Sequence, residues 1–171
     1  MKLPFLRTSE HDEPLVVSMT GTRLGDSVLF AGTSRALILP LAARTGLSGR
    51  LVLIGDGDAA KRLEATAARD GVLLELASKA PAGAAFDLAV IETVEGWRAA
   101  VASVHPSVRS GGRVIVIAGQ PRKGLLGALR SGGGPPPPPN EEIVEVLRVA
   151  GWQRIRPIGE REGLRFVEAF A

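Results

Sequence analysis

Apolar residues in this chain fall into short continuous runs separated by longer amphipathic stretches. Val28 to Ala31, Arg50 to Gly55, Val72 to Leu76, Phe86 to Ile91 and Arg113 to Ala118 each read as a strand. Unbroken apolar runs of this length suit strands buried on both faces, the situation in a parallel sheet covered by helices. Between the runs the spacing changes. Leu37, Ile38, Leu41 and Ala42 recur at helical intervals behind Thr33 and Ser34, both suited to opening a helix, and Gly46 supplies its stop. Ala59 to Arg69 is rich in strong helix formers behind Asp58, a candidate cap. Glu95 to Val108 predicts a further helix, whose last turn Pro106 makes irregular. Strands alternating with helices predict an α/β fold with a parallel sheet covered on both faces.

The C-terminal part changes character. Residues 120–139 include Ser131-Gly-Gly-Gly followed by five consecutive prolines. Such a run favours an extended rod of ~3.1 Å per residue. It reads as a spacer or surface loop, with a docking site for a partner as the alternative. Asn140 is placed to cap a helix over Glu141 to Ala150, which Gly151 stops. Gln153 to Ile158 and Leu164 to Phe170 predict two strands, and the short link Gly159 to Gly163 makes them an antiparallel hairpin. Pro4 and Pro14 break the start of the chain, and Leu15 to Met19 suits a single helical turn. The expected organisation is an irregular lead-in over 1–14 and a single domain over 15–171, with a Gly/Pro-rich loop at 120–139.

Composition narrows the chemistry. The 171 residues are 45% hydrophobic, enough for a sizeable core, and include no cysteine. Disulfide scaffolds, thiolate zinc sites and thiol catalysis are thereby excluded. Only His11 and His105 are present, so no metal site is expected. A formal charge of +3, with acids interspersed among the bases, does not point to nucleic acid. No apolar run approaches the ~20 residues that span a bilayer, and Met1 to Pro14 contains no signal-peptide core. The expectation is a cytoplasmic protein with no membrane partner.

In open α/β sheets ligands bind beyond the carboxyl ends of the strands, which draws attention to the turn Gly32-Thr33-Ser34 after the first strand. Glu92, closing the fourth strand, is the best-placed acid to line a pocket there and the one candidate for a catalytic group. Asp87 lies early in its strand, away from that edge, and reads as structural. His105 reads as a surface residue late in a helix. His11 and Asp12 belong to a segment that could fold over the site as a lid. A nicotinamide-dependent oxidoreductase would need GxGxxG after the first strand, which Gly32-Thr-Ser-Arg-Ala-Leu37 does not supply.

Five parallel strands followed by a helix and a closing hairpin resemble the class I S-adenosylmethionine-dependent methyltransferases, in particular the small-molecule, quinone-biosynthesis-like type. The likeness covers residues 15–171. It rests on Val28-Leu-Phe-Ala-Gly-Thr-Ser-Arg-Ala36, on Gly49 to Asp58, on Phe86-Asp-Leu-Ala-Val-Ile-Glu92, on Val108 to Ala118, and on the ending Ala150 to Phe170. The resemblance implies a Rossmann-like three-layer α/β/α fold. Its seven-stranded, mostly parallel sheet would run in the order 3-2-1-4-5-7-6 and end in an antiparallel hairpin. It also implies S-adenosylmethionine as cofactor, a small-molecule acceptor, and cofactor binding by Gly32, Thr33, Ser34, Asp56 and Glu92.

The cofactor motifs are degenerate. The family's first acidic place falls on Phe30, and its three glycine places fall on Gly32, Ser34 and Ala36. The acid that would hold the ribose falls on Gly55, so that a one-residue bulge would be needed to bring up Asp56. Glu75 is the only acid offered near the adenine place. Two functions therefore stay open: a methyltransferase, or a cofactor-less pseudoenzyme of the same fold acting as a binding or assembly module. A homodimer and a partner for the polyproline segment are left open with them.

Overall fold

A computed structural model describes residues 15–119, 136–161 and 163–171. In chain order these form α1 (Leu15–Thr20), β1 (Ser27–Ala31), α2 (Arg35–Thr45), β2 (Arg50–Ile54), α3 (Asp58–Arg69) and β3 (Glu75–Ala77). There follow β4 (Phe86–Glu92), α4 (Trp97–Val104), a 3-10 turn (His105–Ser107), β5 (Val108–Gly119), α5 (Asn140–Val149), β6 (Gln153–Arg161) and β7 (Leu164–Phe170). The strands make one seven-stranded sheet in the order β3-β2-β1-β4-β5-β7-β6. β3, β2, β1, β4 and β5 run parallel, while β7 is antiparallel to both β5 and β6. This is the Rossmann-like class I methyltransferase fold that the sequence resembles.

The apolar runs explain the layering. Successive side chains on a strand point to opposite faces, and here each strand feeds two cores. Val28, Phe30, Leu51, Leu53, Leu88, Val90, Ile115 and Ile117 pack with α1, α2 and α3. Leu29, Ala31, Val52, Ala89, Ile91, Val114 and Val116 pack with Trp97, Val101 and Val104 of α4, and with Ile143 and Leu147 of α5. A central strand with no polar face is therefore required, and β1 and β4 meet that requirement.

Four local expectations are corrected. β3 is shorter and later than Val72 to Leu76: Gly71, at φ +72°, reverses the chain, and Val72 donates its N–H back to the Ala67 carbonyl, so pairing with β2 starts only at Glu75. α4 begins at Trp97 and ends at Val104, because Pro106 tightens the chain into the 3-10 turn. β5 starts at Val108 rather than Arg113, and Ser110-Gly111-Gly112 forms a bulge within it instead of a turn, with Gly111 at φ +76°. Asp58 and Asn140 are the first helical residues of α3 and α5, and Gly57 and Pro139 hold the cap positions. Asn140 instead accepts a hydrogen bond from Arg165 at 3.3 Å, and Arg165 also donates to the Pro138 carbonyl at 2.6 Å. That guanidinium ties the end of the polyproline run to β7. The lead-in with His11 and Asp12, and residues 120–135 of the Gly/Pro-rich loop, lie outside the described residues.

Candidate functional site

The strand order reverses direction between β1 and β4, and this switch point opens a crevice at the carboxyl edge of the sheet. A cavity of about 220 Å³ lies in it, lined by Ala31, Gly32 and Thr33 after β1, Ile54 at the end of β2, and Glu92, Val94, Glu95, Gly96, Trp97 and Ala100 around the start of α4. Register explains why Gly32 and Glu92 meet. Ala31 pairs with Ile91, so the next residue of each strand, Gly32 and Glu92, emerges side by side.

The Glu92 carboxylate bends across the turn. Its Oε2 accepts the backbone N–H of Thr33 at 2.7 Å and of Ser34 at 2.9 Å. A Cβ on residue 32 would lie 2.2 Å from that oxygen, so the arrangement needs glycine there for room, not for an unusual backbone angle. Burial pushes the Glu92 carboxyl above its ordinary range; the N–H groups of Ser34 and Thr33 and the Ser34 hydroxyl pull it back without cancelling the shift. Ser34 holds the cap position of α2, but its side chain makes no capping bond to the helix. The turn is held by a carboxylate from a strand 58 residues away in sequence.

Gly32, Thr33 and Glu92 thus border one cavity, with Ser34 bonded to Glu92 behind them. Asp56 does not join them: β2 pairs with β1 without a bulge, and Asp56 is exposed beyond its end. Phe30 is fully buried among the side chains facing α2 and α3, and so leaves the cavity clear. Arg35 points outward, with its guanidinium 4.0 Å from Asp70. Glu75 pairs with Arg50 at 2.7 Å at the amino edge of the sheet. His105 packs edge-on against Trp152, with ring centroids 4.7 Å apart.

Sequence reasoning missed the loop between β4 and α4. Val94, Glu95, Gly96 and Trp97 line the cavity and also one wall of a second, larger cleft of about 650 Å³. Pro136 to Pro138, residues that read from sequence as a spacer, also line that cleft, together with Arg98 and Glu142. Arg98 lies over the Trp97 ring at 4.9 Å and pairs with Glu142. The glycine before the tryptophan was the available signal: Gly96 adopts φ +80°, which turns the chain into α4 and brings Trp97 back over the crevice. Among the described residues no group of three or more His, Asp or Glu side chains could hold a metal ion, and no helix is long and apolar enough to cross a membrane.

No protein-family model and no curated protein matches the sequence. Solved structures do match the fold. An S-adenosylmethionine-dependent methyltransferase from Aquifex aeolicus is similar over 92% of this chain and 88% of its own, with TM-score 0.71 and 18% identity. The S-adenosylmethionine-dependent methyltransferase SibL aligns over 93% of this chain, with TM-score 0.68 and 17% identity, but this chain spans only 54% of it. The [4+2]-cyclase SpnF is similar as well, with TM-score 0.64 and 15% identity over 91% of this chain and 78% of its own. At these identities the shared property is the fold.

Proposed function

We propose that this chain is an S-adenosylmethionine-dependent methyltransferase acting on a small-molecule acceptor, with its site at the crevice beside Gly32. The observation that supports it most is the placement of Gly32, Thr33 and Glu92 around a hollow at the switch point of a class I methyltransferase sheet. The residues present suit the cofactor in two respects. Gly32 leaves the turn without a side chain, and among the described residues the hollow is lined by Glu92 and Glu95 but by no Lys or Arg. At about 220 Å³ the inner cavity is smaller than the roughly 300–1,000 Å³ of ordinary ligand pockets; the adjoining cleft of about 650 Å³, which shares the Val94–Trp97 wall, supplies the remaining space.

In this reading S-adenosylmethionine, when bound, supplies a methyl group to a nucleophile. The protein's part is chiefly to hold acceptor and donor together, a contribution worth ~7–11 kcal/mol in good geometry. Trp97, itself buried, forms one wall of the inner cavity. Pro136 to Pro138 wall the acceptor side. Glu92 is the group able to take a proton from the acceptor, since burial raises its affinity for one. Asp56, exposed beyond β2, is assigned no part in ribose binding.

One observation favours the second reading, a cofactor-less binding or assembly module: the Glu92 carboxylate already satisfies the backbone donors of the turn. A [4+2]-cyclase has a similar fold, and a fold by itself does not fix a function. Calorimetric titration with S-adenosylmethionine and S-adenosylhomocysteine separates the two. Saturable one-site binding is expected; silence at millimolar ligand would remove the methyltransferase and leave the module.

A further inference from the structure

The charges around the crevice carry the reading of that site one step further, to the charge of the ligand it admits. Among the described residues, the charged ones that line the inner cavity are both acids, Glu92 and Glu95. Glu95 is exposed and has no ion-pair partner among the described residues. The arginines nearby in sequence are engaged elsewhere. Arg35 reaches away to Asp70, and Arg98 is held between Glu142 and the face of Trp97. The turn before α2 would ordinarily offer backbone N–H groups to an anion. Here those of Thr33 and Ser34 are already bonded to Glu92. The features that attract an anion are thus spent internally, and the charged groups left at the hollow among the described residues are those of Glu92 and the unpaired Glu95.

We infer that this site selects by charge: it takes the sulfonium form of an S-adenosyl ligand in preference to the neutral thioether left after methyl transfer, and it disfavours anionic acceptors. The inference rests on the methyltransferase reading of the same crevice. Its consequence is that a product that has lost the positive charge is held less firmly than the substrate.

The test titrates the full chain with S-adenosylmethionine and with S-adenosylhomocysteine, alone and in a Glu92→Gln/Glu95→Gln double variant. The sulfonium ligand should bind at least tenfold more tightly than the thioether. The double variant should bring the ratio close to one by weakening the sulfonium ligand alone. Equal or tighter binding of the thioether, or a ratio unchanged in the double variant, overturns the inference. A second arm keeps the two readings apart. Trimethylsulfonium and acetate are each titrated against the amide signals of Gly32, Thr33 and Gly96. If neither adenosyl ligand binds, the methyltransferase reading fails. Charge selection then stands if trimethylsulfonium moves those signals and acetate does not, and falls on any other pattern.

Discussion

The two edges of the sheet use carboxylates in opposite ways. At the amino edge, Asp87 accepts the backbone N–H of Ser27 at 2.8 Å and the guanidinium of Arg109 at 2.6 Å. Towards the same edge, the buried Glu168 is shared by Arg113 at 3.4 Å and Arg156 at 2.7 Å. At the carboxyl edge Glu92 makes the same kind of bonds to backbone N–H groups after β1, but no arginine among the described residues joins it. The titration of the two acids diverges accordingly. Burial raises Asp87 too, yet the Ser27 N–H and Arg109 together outweigh it and leave the carboxyl below its ordinary range, whereas Glu92 stays above. Paired acids fix the frame; an unpaired acid is left able to meet a ligand or a proton.

Removing the pairing at the amino edge should have the largest effect. Glu168→Ala takes the shared acceptor from Arg113 and Arg156 and should lower stability by about 2 kcal/mol, the worth of hydrogen bonds to a charged group, since Arg156 is largely exposed and Arg113 keeps the Gly21 carbonyl; urea unfolding measures the loss. Gly32→Ala comes next. The added Cβ displaces the Glu92 carboxylate, and overpacking of this kind costs ~1–3 kcal/mol. In a double-mutant cycle with Glu92→Ala, much of that loss should disappear, because the two changes share one contact. Additive losses would show that Glu92 does not rest on the turn.

The pH dependences should differ in sign. Asp87 is held below its ordinary range in the folded chain, so its contribution is present above the unfolded-state value and lost as pH falls through the folded one. Asp87→Asn should therefore cost about 1 kcal/mol at neutral pH, a screened pair's worth, and the difference from the parent should vanish in acid. Glu92 is raised, so its contribution is present below the unfolded-state value and lost as pH rises through the folded one. Glu92→Gln keeps an acceptor for Thr33 and Ser34 and sheds the buried charge. It should leave stability at neutral pH equal or higher by less than about 1 kcal/mol, with the advantage shrinking in acid. A neutral-pH loss for Glu92→Gln would remove the contrast between the edges.

The same contrast marks what could be read from the sequence. Layering was legible, since continuous apolar runs in β1, β4 and β5 suit strands buried on both faces, and the hairpin link was short enough to fix its sense; the strand order came from the resemblance to the class I methyltransferases. Glu92 was legible as an acid at the right edge. Its partners were not: they lie 59 and 58 residues away, and nothing local says that a strand-end carboxylate rather than Ser34 will hold the turn. Capping read from Asp58 and Asn140 failed for a related reason. Local preference proposes a cap, but Gly57 and Pro139 already supply extended backbone at those positions, and Arg165 claims Asn140. Glu95 and Trp97 were hidden because their importance depends on Gly96 turning them into a crevice made by other strands.

The most direct test is an amide-resolved titration of the isotopically labelled chain with S-adenosylmethionine. The account predicts saturable shifts concentrated at Gly32 to Ser34 and Val94 to Trp97, with the amino edge around Ser27 and Asp87 unmoved. Silence at millimolar ligand, or shifts centred anywhere else in the sheet, would contradict it.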